Sequence, residues 1–162
     1  MEAFDELREI VDRLRGEGGC PWDREQTHAT LKTTCVEEAA EVVCGINILE
    51  KTGNPENLKE ELGDLLFQVV IQARIAEEEG LFTIEDVIGG ITEKMIRRHP
   101  HVFGDAKADS SKEVLENWEI IKAREKEGKE DLSEYLFEAF DESIALIEVA
   151  RKRKKEKHTF SC

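Results

Sequence analysis

No stretch of this chain alternates apolar and polar residues as a half-buried strand does, so a sheet is excluded as its scaffold. No apolar run is long enough to span a bilayer and no secretory signal opens the chain; no membrane partner is expected, and the expected location is the cytoplasm. The four cysteines, Cys20, Cys35, Cys44 and Cys162, form no CxxC and have no histidine at zinc-finger spacing, so they read as reduced thiols, not zinc ligands. A phosphate-cradling loop is also missing: Gly16-Glu17-Gly18-Gly19 lacks the Lys and Ser/Thr of a P-loop and follows no strand. Nor is there an internal repeat. What remains is helix, in 162 residues with room for one packed core.

Positive charge is scarce. With 37 Asp and Glu against 23 Lys and Arg, the formal charge is −14, and a phosphate polymer would meet repulsion over most of the surface, so no nucleic acid is expected for the main body. Arg151 to Lys157 holds six of those 23 cations against one Glu. Such a tail has the composition to contact nucleic acid, an acidic neighbour or an active-site mouth. Its plainest reading is a solvated, frayed helix end, where positive charge suits the helix dipole.

Among the many acids, two pairs stand out by position. Glu38 with Glu41, and Glu61 with Asp64, are each spaced i to i+3, which stacks both members on one helix face. Spacing alone decides little, because Glu2 to Asp5 and Glu138 to Asp141 share it with no role assigned. The surroundings decide more. At about 100° per residue from Leu31, the stripe Leu31, Cys35, Val42, Ile46 and Leu49 covers roughly 0 to 60°, with Glu38 near about −20°, Glu41 near about −80° and Glu37 near about −120°. The segment from Leu58 to Ala76 is apolar almost all round, apart from one strip of Glu61, Asp64, Gln68 and Gln72. Unpaired carboxylates in such a setting cost several kcal/mol each or stay protonated, so they call for a metal ion or cationic partners.

The periodicity predicts helices over about 3–15, 27–51, 56–79, 84–98, 111–127 and 132–156, with Gly16 to Pro21 as a loop and breaks at Gly53-Asn54-Pro55, Gly80, Pro100 and Gly128. Thr83 with Asp86, and Ser110 with Glu113, have the pattern of capping boxes. The helix over 56–79 is too apolar to be satisfied by one neighbour, which predicts burial against another subunit; the alternative is cover by helices of the same chain.

Motifs in a fixed order then carry a resemblance. Gly19-Cys20-Pro21-Trp22-Asp23 and Glu25-Gln26-Thr27-His28 precede EExxE at Glu37 to Glu41; ExxD follows at Glu61 to Asp64, then Arg97-Arg98-His99-Pro100-His101-Val102-Phe103-Gly104-Asp105 and Asn117-Trp118-Glu119. Over about residues 5 to 127 the chain resembles the MazG family of nucleoside triphosphate pyrophosphohydrolases. The resemblance implies an all-α helical bundle assembled as a homo-oligomer, dimer or tetramer. It also implies magnesium-dependent cleavage of a nucleoside triphosphate to monophosphate and pyrophosphate. Residues 1–128 are accordingly read as a MazG-like domain and 129–162 as an amphipathic helix with a basic tail. Some members of that family carry two tandem domains, whereas this chain has a single copy of the paired motifs.

The metal ligands carried over from the motifs are Glu38, Glu41, Glu61 and Asp64. Hard oxygen donors without the ExxH of di-iron bundles suit Mg2+, with Mn2+ as the alternative. Glu37, facing away from the stripe, is read either as reaching a water or the substrate or as a surface acid. Opposing cations are expected on the helix over 84–98: counted from Ile84, Lys94 falls near about −80° and Arg98 near about −40°, beside the apolar stripe, whereas Arg97 points elsewhere but belongs to the motif. His99 and His101 flank Pro100 and read as turn-forming, hydrogen-bonding residues. Trp118 has two open readings, a platform for the base, as the resemblance suggests, or core. For Trp22 packing is favoured. The leading expectation is a nucleotide-pool pyrophosphohydrolase; its rivals are a narrow dCTP- or dUTP-type pyrophosphatase and a non-catalytic helical interaction module.

Overall fold

The structure is a computed structural model, which describes the backbone of residues 2–159 and the side chains of residues 2–156. Among the described residues every regular element is a helix: α1 (Glu2–Arg15), α2 (Pro21–Glu25), α3 (Lys32–Thr52), α4 (Glu56–Glu78), α5 (Ile84–Arg98), α6 (Pro100–Phe103), α7 (Ser111–Lys126) and α8 (Ser133–Thr159). No helix among them is long and apolar enough to cross a membrane.

The centre is the hairpin of α3 and α4. α3 stops because Gly53 takes a left-handed conformation, φ 73°, and its N–H donates to Leu49 O at 2.8 Å. Asn54 Oδ1 then accepts from the Glu56 N–H at 3.0 Å, starting α4 one residue past the turn. Within the hairpin, Gly45 is buried where the two backbones meet: a Cβ on it would lie 2.7 Å from Leu58 Cα. That close approach draws the acid-bearing turns of α3 and α4 together.

Two helices cover the hairpin on different sides. Val11 of α1 is fully buried with Leu31, Val70, Ile71 and Ile75, and Phe4, Leu7 and Phe67 pack around them. α8 lies along α3. Lys32 Nζ pairs with Glu142 at 3.0 Å and Lys154 pairs with Glu41, so the two helices run parallel.

The sequence boundaries hold for α1, α4, α5 and α7, and the Thr83–Asp86 capping box forms in full. At α7, Ser110 Oγ accepts from the Glu113 N–H at 3.3 Å, and the Glu113 carboxylate returns to the Asp109 N–H at 3.1 Å, one residue earlier than in a standard box. Three details differ from expectation. α3 begins at Lys32, not 27, because Thr27 and Thr30 bond each other's backbone and hold a turn there. α2 and α6 are short helices at segments read as loop or break, each opening with a proline, whose missing N–H is no loss in a first turn. Trp22 is 59% exposed, so it is not packed within this chain.

α4 is only half covered. Its second half, from Val70 to Ala76, carries most of the buried residues, while Leu62, Leu66 and Val69 are 50%, 42% and 43% exposed. Cover within the chain therefore accounts for the C-terminal half of this helix and leaves the half beside Glu61 and Asp64 wet.

Candidate functional site

Glu38 on α3 meets Glu61 and Asp64 on α4. One carboxylate oxygen from each lies within 4.8 Å of the other two, the kind of spacing that a shared cation bridges. Glu38 and Glu61 are half-buried and Asp64 is exposed. Burial is the main cause that raises the Glu38 carboxyl above its usual range, followed by the charges of Asp64, Glu37 and Glu61, with Lys154 working against them. Glu61 is steadied by Asn57, one turn earlier, whose Nδ2 donates to Glu61 Oε1 at 2.9 Å. Asn57 Oδ1 is itself buried with no partner among the described residues.

Glu41, the fourth acid of the motif set, is engaged differently. Its carboxylate pairs with Lys154 of α8, and the same ammonium lies 3.4 Å from Glu37 Oε1. Arg153 Nη2 donates to Glu37 Oε2. Burial works to raise Glu37, but the hydrogen bond and charge of Arg153, together with Lys154, outweigh it and hold this carboxyl below its ordinary value. Two expectations are corrected here. Glu37 is the buried acid of α3, not a flank residue, because the side turned away from α4 is the side that α8 covers. And the basic end of α8, though exposed, is not frayed off into solvent: Arg153 and Lys154 reach the acidic motif, the acidic-neighbour reading of the tail.

The cations expected on α5 stand elsewhere. Arg97 Nε donates to Glu125 Oε1 at 2.7 Å and Arg98 Nη2 to Glu125 Oε2 at 2.6 Å, tying α5 to α7. Those two bonds, Arg98 first, hold the Glu125 carboxyl down to about 2. The Arg98 guanidinium also sits 5.5 Å from the Trp118 ring centroid, and His99 meets that ring edge-on at 4.8 Å. His99 Nδ1 bonds Met95 O at 2.7 Å, in keeping with a turn-holding histidine. Lys94 and Trp118 are half-buried. Arg97, Arg98 and Trp118 thus form a second group at the α5–α7 contact, bonded to Glu125 and not to Glu38, Glu61 or Asp64, and Lys94 lies one turn earlier on α5.

The polar strip of α4 continues past the acids. Gln68 is buried, with Cys35 Sγ 3.9 Å from its Oε1; Gln72 Nε2 lies 3.8 Å from the same sulfur, and Gln72 Oε1 bonds His28. Sequence reasoning passed over Asn57, and it read Arg153 and Lys154 only as part of a basic tail for which an acidic neighbour or an active-site mouth was one option beside a solvated helix end. Asn57 was findable, being i−4 to Glu61 on one face; the α8 pair lies more than a hundred residues away from its partners and has no local signal.

The structure defines an all-α protein whose central hairpin sets Glu38 of an EExxE turn against Glu61 and Asp64 of an ExxD turn. Residues 26–103 match the MazG nucleotide pyrophosphohydrolase domain, and the chain belongs to the MazG family. Over 123 residues, 76% of its length, it is 54% identical to the nucleoside triphosphate pyrophosphohydrolase/pyrophosphatase MazG of Thermotoga maritima, of which it spans 45%. Over 152 residues, 94% of its length, it is 44% identical to the uncharacterized protein YabN of Bacillus subtilis (strain 168), of which it spans 30%. The crystal structure of a MazG-related protein from Thermotoga maritima matches with a TM-score of 0.58 at 28% identity, covering 74% of this chain and 98% of that one. The chain spans less than half the length of both curated relatives.

Proposed function

We propose that this chain hydrolyses nucleoside triphosphates to the monophosphate and pyrophosphate in the presence of Mg2+, clearing unwanted nucleotides from the cytoplasmic pool, and does so as an assembly of identical subunits. The observation that carries this reading is the convergence of Glu38, Glu61 and Asp64 oxygens within 4.8 Å of one another. An all-oxygen donor set with no sulfur or imidazole fits a hard divalent cation, Mg2+ or Mn2+. Glu38, Glu61 and Asp64 would hold it, with Glu41 completing the set once Lys154 moves off. Bound there, the ion supplies charge neutralisation at the phosphate oxygens and a water of lowered pKa. The chain's own contribution is position: the α3–α4 hairpin fixes the donors before substrate arrives, and Asn57 orients Glu61. The name of the Thermotoga relative supports the substrate class.

The test is incubation of the purified protein with each ribo- and deoxynucleoside triphosphate plus Mg2+, resolving pyrophosphate from orthophosphate. Pyrophosphate and monophosphate are the expected products. Orthophosphate release would exclude the reaction type, and turnover of one deoxynucleotide alone would narrow the substrate to the dCTP or dUTP kind. Glu38→Gln and Asp64→Asn should each lower turnover by about 100-fold or more with helicity kept. Full activity in both variants would displace the site.

A further inference from the structure

A cavity of about 480 Å³ opens on the α8 side of the acid cluster, its walls including Glu41, Glu61, Ile48, Ile147, Arg151 and Lys154. Its wall is divided: carboxylates on the hairpin side, two cations on the α8 side, and apolar residues between. A triphosphate carries several negative charges, and cleavage puts more on the departing pyrophosphate, so cations have to face the acid cluster. Arg97 and Arg98 of α5 are held by Glu125. α8 delivers its cations to the acids directly, Lys154 to Glu41 and Glu37 and Arg153 to Glu37.

Resting on the metal-dependent reading above, we propose that Lys154 is a substrate-binding residue: its ammonium, which reaches Glu41 from α8, competes with a divalent ion for that carboxylate and turns to a phosphate oxygen of the nucleotide when the ion claims it. Lysine suits this exchange. Its charge is compact, its stem is flexible, and here the side chain is half exposed, so moving a few ångströms requires no unfolding. Glu37 differs, because Arg153 also neutralises it, and it therefore anchors α8 in both states. One ammonium thus competes with the ion for Glu41 and assists the nucleotide, which predicts effects of opposite sign from a single substitution.

In the full chain, Lys154→Gln should bind Mn2+ alone several-fold more tightly, measured by the loss of free-ion signal in electron paramagnetic resonance. The same variant should bind a non-hydrolysable triphosphate analogue with Mg2+ about tenfold more weakly. KM should rise more than kcat falls, and Lys154→Arg should restore analogue binding. Unchanged Mn2+ affinity or unchanged analogue affinity in Lys154→Gln overturns the exchange. Glu61→Gln separates this from the parent reading: loss of Mn2+ binding supports the metal site, and wild-type Mn2+ binding in that variant removes the site itself.

Discussion

Gly45 meets Leu58 at the crossing of α3 and α4, where a Cβ would stand 2.7 Å from Leu58 Cα and 3.0 Å from its nitrogen. The neighbour is backbone, so it cannot rotate aside. Valine at 45 should lower stability by about 1–3 kcal/mol, the usual range for overpacking, as read from urea denaturation midpoints. The hairpin would have to part to admit it, so Mn2+ affinity should fall as well. A Gly45→Val protein as stable as the wild type would show that the hairpin is looser than this contact implies.

Much of this arrangement was legible before any coordinates. The i, i+3 pairs at Glu38–Glu41 and Glu61–Asp64 sit where apolar faces should be, and the turn at Gly53-Asn54-Pro55 folds their helices together, so the meeting of Glu38 with Glu61 and Asp64 follows from local rules, while Glu41 pairs with Lys154 instead. Glu37 did not follow. Periodicity tells which residues share a face of one helix, but not which neighbour covers that face, and α8 arrives from more than a hundred residues downstream. The same limit applies to Arg97 and Arg98, whose common partner Glu125 lies on a different helix. Thr27 to Leu31 failed for another reason: side-chain hydroxyls competed with the helical bonds of the backbone.

Glu125 provides a pH signature. Its folded carboxyl is lowered to about 2, chiefly by Arg98 and then Arg97, against an ordinary value of 4.5. A carboxyl depressed in the folded state stabilises it above the unfolded value and loses that contribution as pH falls through the folded one. Wild type should therefore exceed Glu125→Gln in stability at pH 7, and the gap should narrow from about pH 4.5 down toward 2. Urea titrations of both proteins at neutral and acid pH measure it. A gap that stays constant to pH 2 would assign Glu125 a packing role instead.

Leu62, Leu66 and Val69 follow one another at i, i+4 and i+7, a single stripe along α4, and all three are more than 40% exposed in the isolated chain. Full burial of each side chain is worth about 1.5–3 kcal/mol, so leaving the stripe in water forgoes more than a marginal amount of stability. A second copy of this chain supplies a matching stripe by symmetry, since a two-fold interface pairs one surface with itself. At about 100° per residue Asp64 lies on the opposite side of α4 from this stripe, so the expected interface and the acid cluster use different faces of the helix. Leu66→Glu would put a charge in that contact. Sedimentation at micromolar concentration should show the wild type as an oligomer and the variant shifted toward monomer. Lys112→Gln, at an exposed position of α7, should leave the sedimentation unchanged. A wild type that sediments as a monomer would leave the stripe without a second copy to cover it.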